Sequence, residues 1–450
     1  MALSSDISSN ASSSAGGVAP PLVPIALSDR VFGFHHHLAL WFSLGTGLLV
    51  IQIGAYLVPA VGTRDAVLAI VLGSVIGAGL LAWTAQLGCR TGLSSAGLMQ
   101  ATYGSAFARL PVLLNIVQLI GWTTFELVVM RDGTSAMLRH VFGWDLSGLW
   151  GVVATTVLWG AVLTVLMTAS MLGLVRRFVG RYGLPLVAAS LVWLAWQFWQ
   201  RLPEGPQAFW DRPGTGEMGL FSAVDLVIAM PVSWLPLVAD YARYGKSGGS
   251  TMRGTWLGYA LANTACYGLG VLVASTVAPG TDLVAALLLA QGGLLALGLI
   301  LLDEMDNAYG DAHSAAVSAQ SLQPRFSLRR WAVLMALVCT ALAVVLPMRS
   351  LEPFMLMLSS VFVPLYGVIL GRWALRANRA QANDAQLQPA LPTRTVDWSA
   401  AAIWLSGIAC FHGLAQWAPG WGSALPTLAL TFALAWATAP ARTGAAPVAA

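Results

Sequence analysis

The side chains of this 450-residue chain that could do chemistry are acidic residues within apolar segments. Glu126 lies in the run NIVQLIGWTTFELVVM, and Trp122 precedes it by four positions, so the two side chains share one face of a helix. An ionisable group inside hydrocarbon costs at least a few kcal/mol. The pair therefore predicts one aromatic surface beside one hydrogen-bond acceptor. A carboxylate that bonds a neighbouring helix for purely structural reasons is the alternative.

A second acidic group lies in the run LLDEMDNAYGDAHSAA, which holds Asp303, Glu304, Asp306 and Asp311. The apolar stretch Leu294–Leu302 is too short to carry Asp303 out of a bilayer, whereas Asp311 and His313 are expected to be solvated. Neighbouring carboxylates repel each other unless a cation or shared protons neutralise them. Asp303 and Glu304 are therefore predicted to bind a transported cation, either sodium or a proton.

Two apolar segments contain residues that interrupt a helix. The first is LWFSLGTGLLV, with Gly45, Thr46 and Gly47 at its centre; the second is MPVSWLPLV, in which Pro231 and Pro236 bracket Ser233 and Trp234. Unpaired backbone in hydrocarbon is tolerated chiefly where it lines a cavity. Interruptions at corresponding positions of two five-helix halves are typical of an inverted-repeat transporter with a site at the midplane. The alternative is that glycine and proline only bend these helices.

Composition places these segments in a membrane. Charged residues make up 9% of the chain, against about 25% in soluble domains, and 57% of the residues are hydrophobic. A transmembrane helix needs about 20 mainly apolar residues. Twelve such spans are predicted: Leu38–Ala60, Ala66–Leu87, Leu110–Met130, Gly148–Ser170, Tyr182–Gln200, Phe221–Ala239, Gly254–Val277, Gly293–Ala315, Trp331–Leu346, Leu351–Trp373, Ser399–Gln416 and Ser423–Thr438. The shorter run Thr281–Gln291 is predicted to be a re-entrant or interfacial helix.

Basic residues predict the orientation. With the N-terminus in the cytoplasm, 17 of the 23 Lys and Arg residues fall in cytoplasmic loops, as the positive-inside rule requires. We therefore predict a multi-pass protein of a bacterial-type cytoplasmic (inner) membrane with both termini inside. The predicted organisation is a disordered tail (1–33), a ten-helix core (34–375), a cytoplasmic linker (376–398), two further helices (399–438) and a second disordered tail (439–450).

Several other functions are disfavoured. The four cysteines are far apart in sequence, and three consecutive histidines on one helix point in three directions, so neither set predicts a metal site. No nucleotide-binding loop and no set of catalytic residues is recognisable, which disfavours an ATP-driven pump and an enzyme. Asp240 and Arg243 predict an ion pair or gate at the cytoplasmic end of the sixth span. The pair Gly73 and Gly77 predicts close helix packing.

Four motifs in order, LWFSLGTGLLVIQIGAYLVP, GWTTFELVVM, MPVSWLPLVADYARYGK and DEMDNAYGDAHSAAVSAQ, resemble the nucleobase–cation symporter family. The similarity is greatest to its hydroxymethylpyrimidine transporter branch, related to the cytosine permeases. It implies an all-α, leucine-transporter-like fold: two inverted five-helix repeats with broken helices 1 and 6, plus two extra helices. It also implies alternating access coupled to Na⁺ or H⁺, with no other cofactor.

The resemblance also implies roles for residues. Trp122 and Glu126 match an aromatic and an amide that contact the heterocycle, and Trp234 matches a second aromatic. Asp303 and Glu304 stand where sodium-coupled members carry hydroxyl groups, which leaves the ion open. The predicted substrate-binding residues are Gly45, Trp122, Glu126, Ser233, Trp234 and Asn307. The predicted cation-coupling residues are Gly45, Thr46, Leu48, Asp303 and Glu304, the first three through backbone carbonyls.

The expected substrate is an aminopyrimidine, because a flat ring can stack on tryptophan while Glu126 accepts a hydrogen bond from its amino group. We favour hydroxymethylpyrimidine, a thiamine precursor, with cytosine or another nucleobase as the alternative and an uncoupled facilitator as a further one. The lipid bilayer is the expected partner, whereas neither nucleic acid nor an obligate protein partner is expected.

Overall fold

The computed structural model describes residues 21–168, 183–278, 281–346, 351–379 and 394–439, and these residues are largely helical. Their α-helices are α1 (Phe34–Leu44), α2 (Leu48–Ala60), α3 (Thr63–Thr91), α4 (Ser95–Tyr103), α5 (Arg109–Phe142), α6 (Leu149–Met167), α7 (Leu184–Trp199), α8 (Gly205–Asp211), α9 (Leu220–Ser233), α10 (Leu235–Ala242), α11 (Gly248–Thr276), α12 (Leu283–Leu288), α13 (Gly293–Leu322), α14 (Leu328–Ala343), α15 (Leu351–Arg379), α16 (Trp398–Trp417) and α17 (Ala424–Ala437).

Each predicted span coincides with a helix or a helix pair, which confirms the all-α membrane fold. Among the described residues, six single helices, the pair α9–α10 and the bent pair α1–α2 are long and apolar enough to cross a bilayer. The other spans correspond to α7, α14 and α17, which have 16, 16 and 14 residues, and to α13, whose acidic residues lower its hydropathy. The predicted span ends Ser170 and Tyr182 lie outside the described residues.

The helices pack in two main groups. We call α1, α2, α3, α9, α10 and α11 the bundle, because α11 packs along α1, α2 and α3, while α9 and α10 pack on α3. We call α5, α6, α13 and α14 the scaffold, in which α13 packs along α5 and α14 contacts α5, α6 and α13. Helices α15 to α17 pack against one another beside these groups. Both interrupted helix pairs belong to the bundle.

Small residues allow the bundle helices to approach closely. A methyl group added at Gly73 would lie 2.6 Å from Cβ of Val227, and one added at Gly77 would overlap the ring of Pro231. The structure thus confirms the predicted close packing at these glycines and identifies α9 as the partner of α3. A missing side chain lets two backbones come together in a membrane, where van der Waals contact drives much of the association.

The predicted disordered segments are partly ordered. The tail prediction for residues 1–33 is wrong over residues 21–33, where Ile25 and Phe32 are buried and Arg30 donates a hydrogen bond to the carbonyl of Cys89. Residues 1–20 lie outside the described part of the chain, as do residues 380–393 of the predicted linker and residues 440–450 of the second tail.

The end of the predicted linker is also ordered. Asp397 caps the first turn of α16 and forms an ion pair of 2.7 Å with Arg372 of α15. Partial burial tends to raise the pKa of Asp397, but hydrogen bonds from Arg372 and from the Ala400 amide outweigh it and keep the pKa below its usual range. This contact connects the start of α16 to α15, so residues 394–398 of the predicted linker are ordered.

Candidate functional site

The first interruption lies between α1 and α2, which meet at an angle of 58°. Two side chains of α13 bind the backbone there: Glu304 accepts a hydrogen bond from the Leu48 amide at 3.3 Å, and Asn307 donates one to the Thr46 carbonyl at 3.0 Å. Gly47 makes room for this contact, since a methyl group there would lie 2.7 Å from Oε2 of Glu304. The scaffold therefore satisfies backbone groups that the missing helical turn leaves unpaired.

A second face of α13 bonds α1 itself. Ser43, in the last turn of α1, donates a hydrogen bond to Oδ1 of Asp303 at 2.7 Å and can reach Oδ2 of Asp306 at 3.2 Å. Asp303 and Asp306 are three positions apart and share a face, while Glu304, Asn307 and Asp311 follow the helical repeat on the adjacent face. The acidic run therefore divides into two groups that contact opposite sides of the same interruption.

The second interruption, between α9 and α10, is much slighter. Helix α9 continues through Pro231 to Ser233, Trp234 is the single residue between the helices, and α10 begins with Leu235 and Pro236. Proline has no amide hydrogen, so Pro236 cannot continue the helical hydrogen bonds of α9. The predicted break is present, but it occupies one residue rather than the whole stretch between the two prolines.

A cavity lies between the two interruptions and the scaffold. Its lining residues are Leu44, Gly47, Leu49, Val50, Trp122, Glu126, Met230, Ser233, Trp234, Glu304, Asn307 and Asp311. We call it the central cavity. Its volume, counted as the space open to the centre of a water molecule, is about 10 Å³, enough for roughly one water. The side chains are therefore closely packed around the site in this conformation.

Several polar atoms in the central cavity have no partner among the described residues: Nε1 of Trp122, Oε2 of Glu126, Oε1 of Glu304 and Oδ1 of Asn307. The carboxyl groups of Glu126 and Glu304 also approach each other within hydrogen-bonding reach. Neither group can donate while ionised, so a proton, a cation or a ligand donor is needed between them. Buried polar atoms are rarely left unpaired, and these therefore indicate a binding site.

A family model described as "Permease for cytosine/purines, uracil, thiamine, allantoin" matches residues 24–438, most of the chain. The chain belongs to this family. It is therefore a membrane transporter of the nucleobase–cation symporter type and not an enzyme. A comparison with curated protein sequences gives no match.

Solved structures support the fold. The chain resembles Mhp1, a nucleobase-cation-symport-1 family transporter in a closed conformation with bromovinylhydantoin bound, with a TM-score of 0.77 and 16% identity over 93% of each chain. The inward-facing conformation of Mhp1 gives a TM-score of 0.71 at 16% identity, over 93% of this chain and 92% of Mhp1. MhsT in complex with L-phenylalanine gives 0.59 at 15% identity, over 89% of this chain and 98% of MhsT. The permease therefore has the leucine-transporter-like inverted repeat.

Five predicted substrate-binding residues of this permease line the central cavity: Trp122, Glu126, Ser233, Trp234 and Asn307. Gly45 does not line it. A methyl group at Gly45 would lie 2.9 Å from Cβ of Ala262, so this glycine serves packing between α1 and α11, and Gly47 lines the cavity instead. Among the predicted cation-coupling groups, the Thr46 carbonyl is bonded by Asn307, and Leu48 contacts Glu304 through its amide.

Two further expectations need correction. Asp311 and His313 are not solvated: their exposed fractions are 2% and 6%, because α13 continues to Leu322, and Asp311 lines the cavity. Asp240 accepts a hydrogen bond of 2.9 Å from the Ser95 amide at the start of α4, and Arg243 lies over the ring of Tyr244. Among the described residues, the ion pairs within 4.0 Å do not include one between Asp240 and Arg243, and a gating role of the two residues stays a prediction.

Sequence reasoning missed polar residues on α5. Asn115 and Gln118 precede Trp122 by seven and four positions, so they continue the helix face of Trp122 and Glu126. The sequence therefore contained a signal for these two residues, namely their helical spacing from Trp122. Asn115 donates to the Pro236 carbonyl at 3.0 Å, and Gln118 donates to the Ser233 carbonyl at 3.2 Å. These amides bond backbone groups at the second interruption, as Glu304 and Asn307 do at the first.

Proposed function

We propose that this permease is a secondary active symporter that imports a small aminopyrimidine together with a cation by alternating access. The observation that carries the proposal is the central cavity, in which Trp122 and Trp234 lie with Glu126, Glu304 and Asn307. The favoured substrate is 4-amino-5-hydroxymethyl-2-methylpyrimidine. Cytosine, which presents a similar amino group and ring nitrogen, is the alternative.

The chemistry of the lining suits a flat, nitrogen-rich ring. Stacking of a base on an aromatic side chain contributes about 1–3 kcal/mol. The free oxygen of Glu126 can accept a hydrogen bond from an exocyclic amino group, and a second one from a ring nitrogen that carries a proton. Hydrogen bonds to an ionised group are among the strongest in proteins. Oδ1 of Asn307 supplies a further acceptor.

The carboxyl groups suggest how a cation is coupled to the substrate. Glu304 faces Glu126 in the cavity and also binds the Leu48 amide at the α1–α2 interruption. Asp303 is connected to the same interruption through Ser43. A change in the charge of these groups therefore acts directly on the geometry of a bundle helix. Such a link between an ion site and a broken helix is what alternating access requires.

The binding of a ring requires the cavity to expand. With about 10 Å³ of free space, the present arrangement of side chains does not accommodate a pyrimidine. Movement of the bundle relative to the scaffold would open the space, because seven of the twelve lining residues belong to the bundle and its interruptions, and five belong to the scaffold. The substrate therefore contacts both groups and can couple their relative motion to its own binding.

The test is uptake of labelled hydroxymethylpyrimidine into proteoliposomes under an imposed sodium gradient or an imposed proton gradient, with cytosine as competitor. Accumulation above the external concentration under one gradient supports a symporter, and the effective gradient identifies the ion. Stronger competition by cytosine would favour the alternative substrate. Equilibration without accumulation would indicate an uncoupled facilitator, and no uptake by inserted, folded protein would contradict the aminopyrimidine assignment.

A further inference from the structure

A second cavity lies at one end of the scaffold, with a volume of about 270 Å³ measured in the same way as for the central cavity. We call it the vestibule. It is lined by α4, the first turn of α5, the end of α13 and the ordered N-terminal segment, with Leu22, Gln100, Arg109, Val112, Ser321 and Pro324 among its residues. Arg109, which lines the vestibule, lies between the second and third predicted spans. The positive-inside rule assigns that connection to the cytoplasm, so the vestibule is on this side of the membrane.

The vestibule and the central cavity lie along the same two scaffold helices. On α5, Val112 lines the vestibule and Trp122 lines the central cavity. On α13, Ser321 lines the vestibule and Asp311 the central cavity. Ten residues of α-helix separate the members of each pair, a distance of about 15 Å. The side chains in this interval therefore block passage from one cavity to the other.

Among the polar side chains in this interval, three form one hydrogen-bonded group: Asn115 and Gln118 of α5 and Ser318 of α13, which we call the clasp. Asn115 donates hydrogen bonds to the Pro236 carbonyl at 3.0 Å and to Oγ of Ser318 at 3.1 Å. Gln118 donates to Oδ1 of Asn115 at 3.0 Å and to the Ser233 carbonyl at 3.2 Å. All three side chains are at most 1% exposed.

The clasp joins the two groups of helices. Its side chains belong to the scaffold, while the carbonyls of Ser233 and Pro236 belong to the bundle, on either side of Trp234. The bundle cannot move away from the scaffold at this level without breaking the bonds to both carbonyls. Because these side chains are buried, each broken bond leaves a buried polar group without that partner.

We propose that the clasp is the barrier between the central cavity and the vestibule, and that its release opens the transport pathway on the predicted cytoplasmic side. This inference rests on the proposed transport function, but not on the identity of the substrate or the ion. The clasp contains amides and a hydroxyl and no ionisable group. Its strength therefore does not depend directly on the coupled cation.

The test measures access to the central cavity without substrate. In a background lacking the four native cysteines, Met230→Cys places a thiol in the lining of the central cavity. A membrane-impermeant maleimide is applied from either side in oriented vesicles. With Asn115→Ala added, we expect labelling from the vestibule side to become roughly 3- to 10-fold faster, since buried hydrogen bonds that favour the closed state are lost. Labelling from the opposite side should not increase.

Asn263→Ala is the matched control. Asn263 is also fully buried, and it donates a hydrogen bond of 2.9 Å to Ser74, the same pair of side-chain types. Both of these residues belong to the bundle, on α11 and α3, so their bond does not cross the interval between the cavities. The control should therefore leave the labelling rate of Met230→Cys unchanged.

Equal labelling in the Asn115→Ala and control proteins, or an increase from the opposite side, would overturn the proposal. If Asn115→Ala does not insert stably, Ser318→Ala removes only one bond of the clasp and should give a smaller increase from the vestibule side. Failure of the aminopyrimidine assignment would appear separately, as absent uptake with normal labelling behaviour. Failure of the clasp would appear as unchanged labelling in a protein that still transports.

Discussion

The two interrupted helix pairs of the bundle differ in shape and in what binds them. The α1–α2 pair bends by 58°, and its backbone is bonded by Glu304 and Asn307, with Asp303 connected to it through Ser43. The α9–α10 pair is interrupted at one residue, and neutral amides of Asn115 and Gln118 bond its carbonyls. Carboxyl groups therefore take part in bonding the first interruption, whereas neutral amides bond the second.

This difference assigns separate tasks to the two interruptions. We propose that an ion or proton that changes the charge of Glu304 or Asp303 acts on their bonds to the Leu48 amide and to Ser43, and through them on the α1–α2 pair. We propose that the neutral amides at the α9–α10 interruption contribute a resistance to opening that does not change with the cation. A symporter can use both, since its cation biases the conformational equilibrium while the barrier determines how readily one side of the pathway opens.

Removal of charge at the first interruption should have the largest effect. Glu304→Gln retains an oxygen that can accept from the Leu48 amide but carries no charge. We expect the ratio of internal to external substrate in proteoliposomes to fall to about 1, because an uncoupled carrier only equilibrates its substrate. Gln118→Leu, at the second interruption, should change the rate of uptake and preserve the ratio. A ratio near 1 for both variants would contradict the comparison.

Loss of an aromatic surface should have the next largest effect. Trp122 comes from the scaffold, and Trp234 lies at the second interruption, so the substrate is expected to bridge the two groups. We expect Trp122→Ala to weaken binding roughly 10- to 100-fold, as the loss of one stacking contact implies. Trp122→Phe keeps an aromatic ring and should retain most of the affinity. Unchanged calorimetric affinity in Trp122→Ala would remove this residue from the site.

Substitution of Glu126 distinguishes the roles of the two glutamates of the cavity, Glu126 and Glu304. Glu126→Gln should weaken binding of an aminopyrimidine about tenfold, because a hydrogen bond to an ionised acceptor becomes a neutral one. Unlike Glu304→Gln, it leaves the charge beside the Leu48 amide in place. An analogue without the amino group should bind the wild type and the variant alike. A tenfold loss for that analogue as well would mean that Glu126 acts through general packing.

The smallest effect concerns the support of the second interruption. Gly77 lies against the ring of Pro231, whereas a methyl group at Gly79 meets only Trp256, at 3.9 Å. Gly77→Ala should lower stability by about 1–3 kcal/mol through overpacking. Gly79→Ala should be neutral or stabilise by up to about 1 kcal/mol, since alanine favours helix. Thermal unfolding in detergent compares them, and equal midpoints would show that the α3–α9 contact adjusts freely.

Much of this architecture is predictable from the order of residues. A bilayer offers no hydrogen-bond partners, so apolar stretches of sufficient length must be helices, and each predicted span corresponds to one. The same rule located both interruptions, because glycine and proline in such stretches leave backbone groups to be satisfied. The helical repeat placed Trp122 and Glu126 on one face, and both line the central cavity.

Only the tertiary structure decided which groups satisfy that backbone. Asn115 and the carbonyl of Pro236 are 121 positions apart, and the separation of Glu304 from Leu48 is 256 positions. Local sequence also did not show that Gly47 rather than Gly45 lines the cavity, or that Asp311 is buried there. The physical reason is the same in each case. The sequence of a helix specifies its own hydrogen bonds and faces, whereas the partner of an unpaired group depends on which distant helix packs against it.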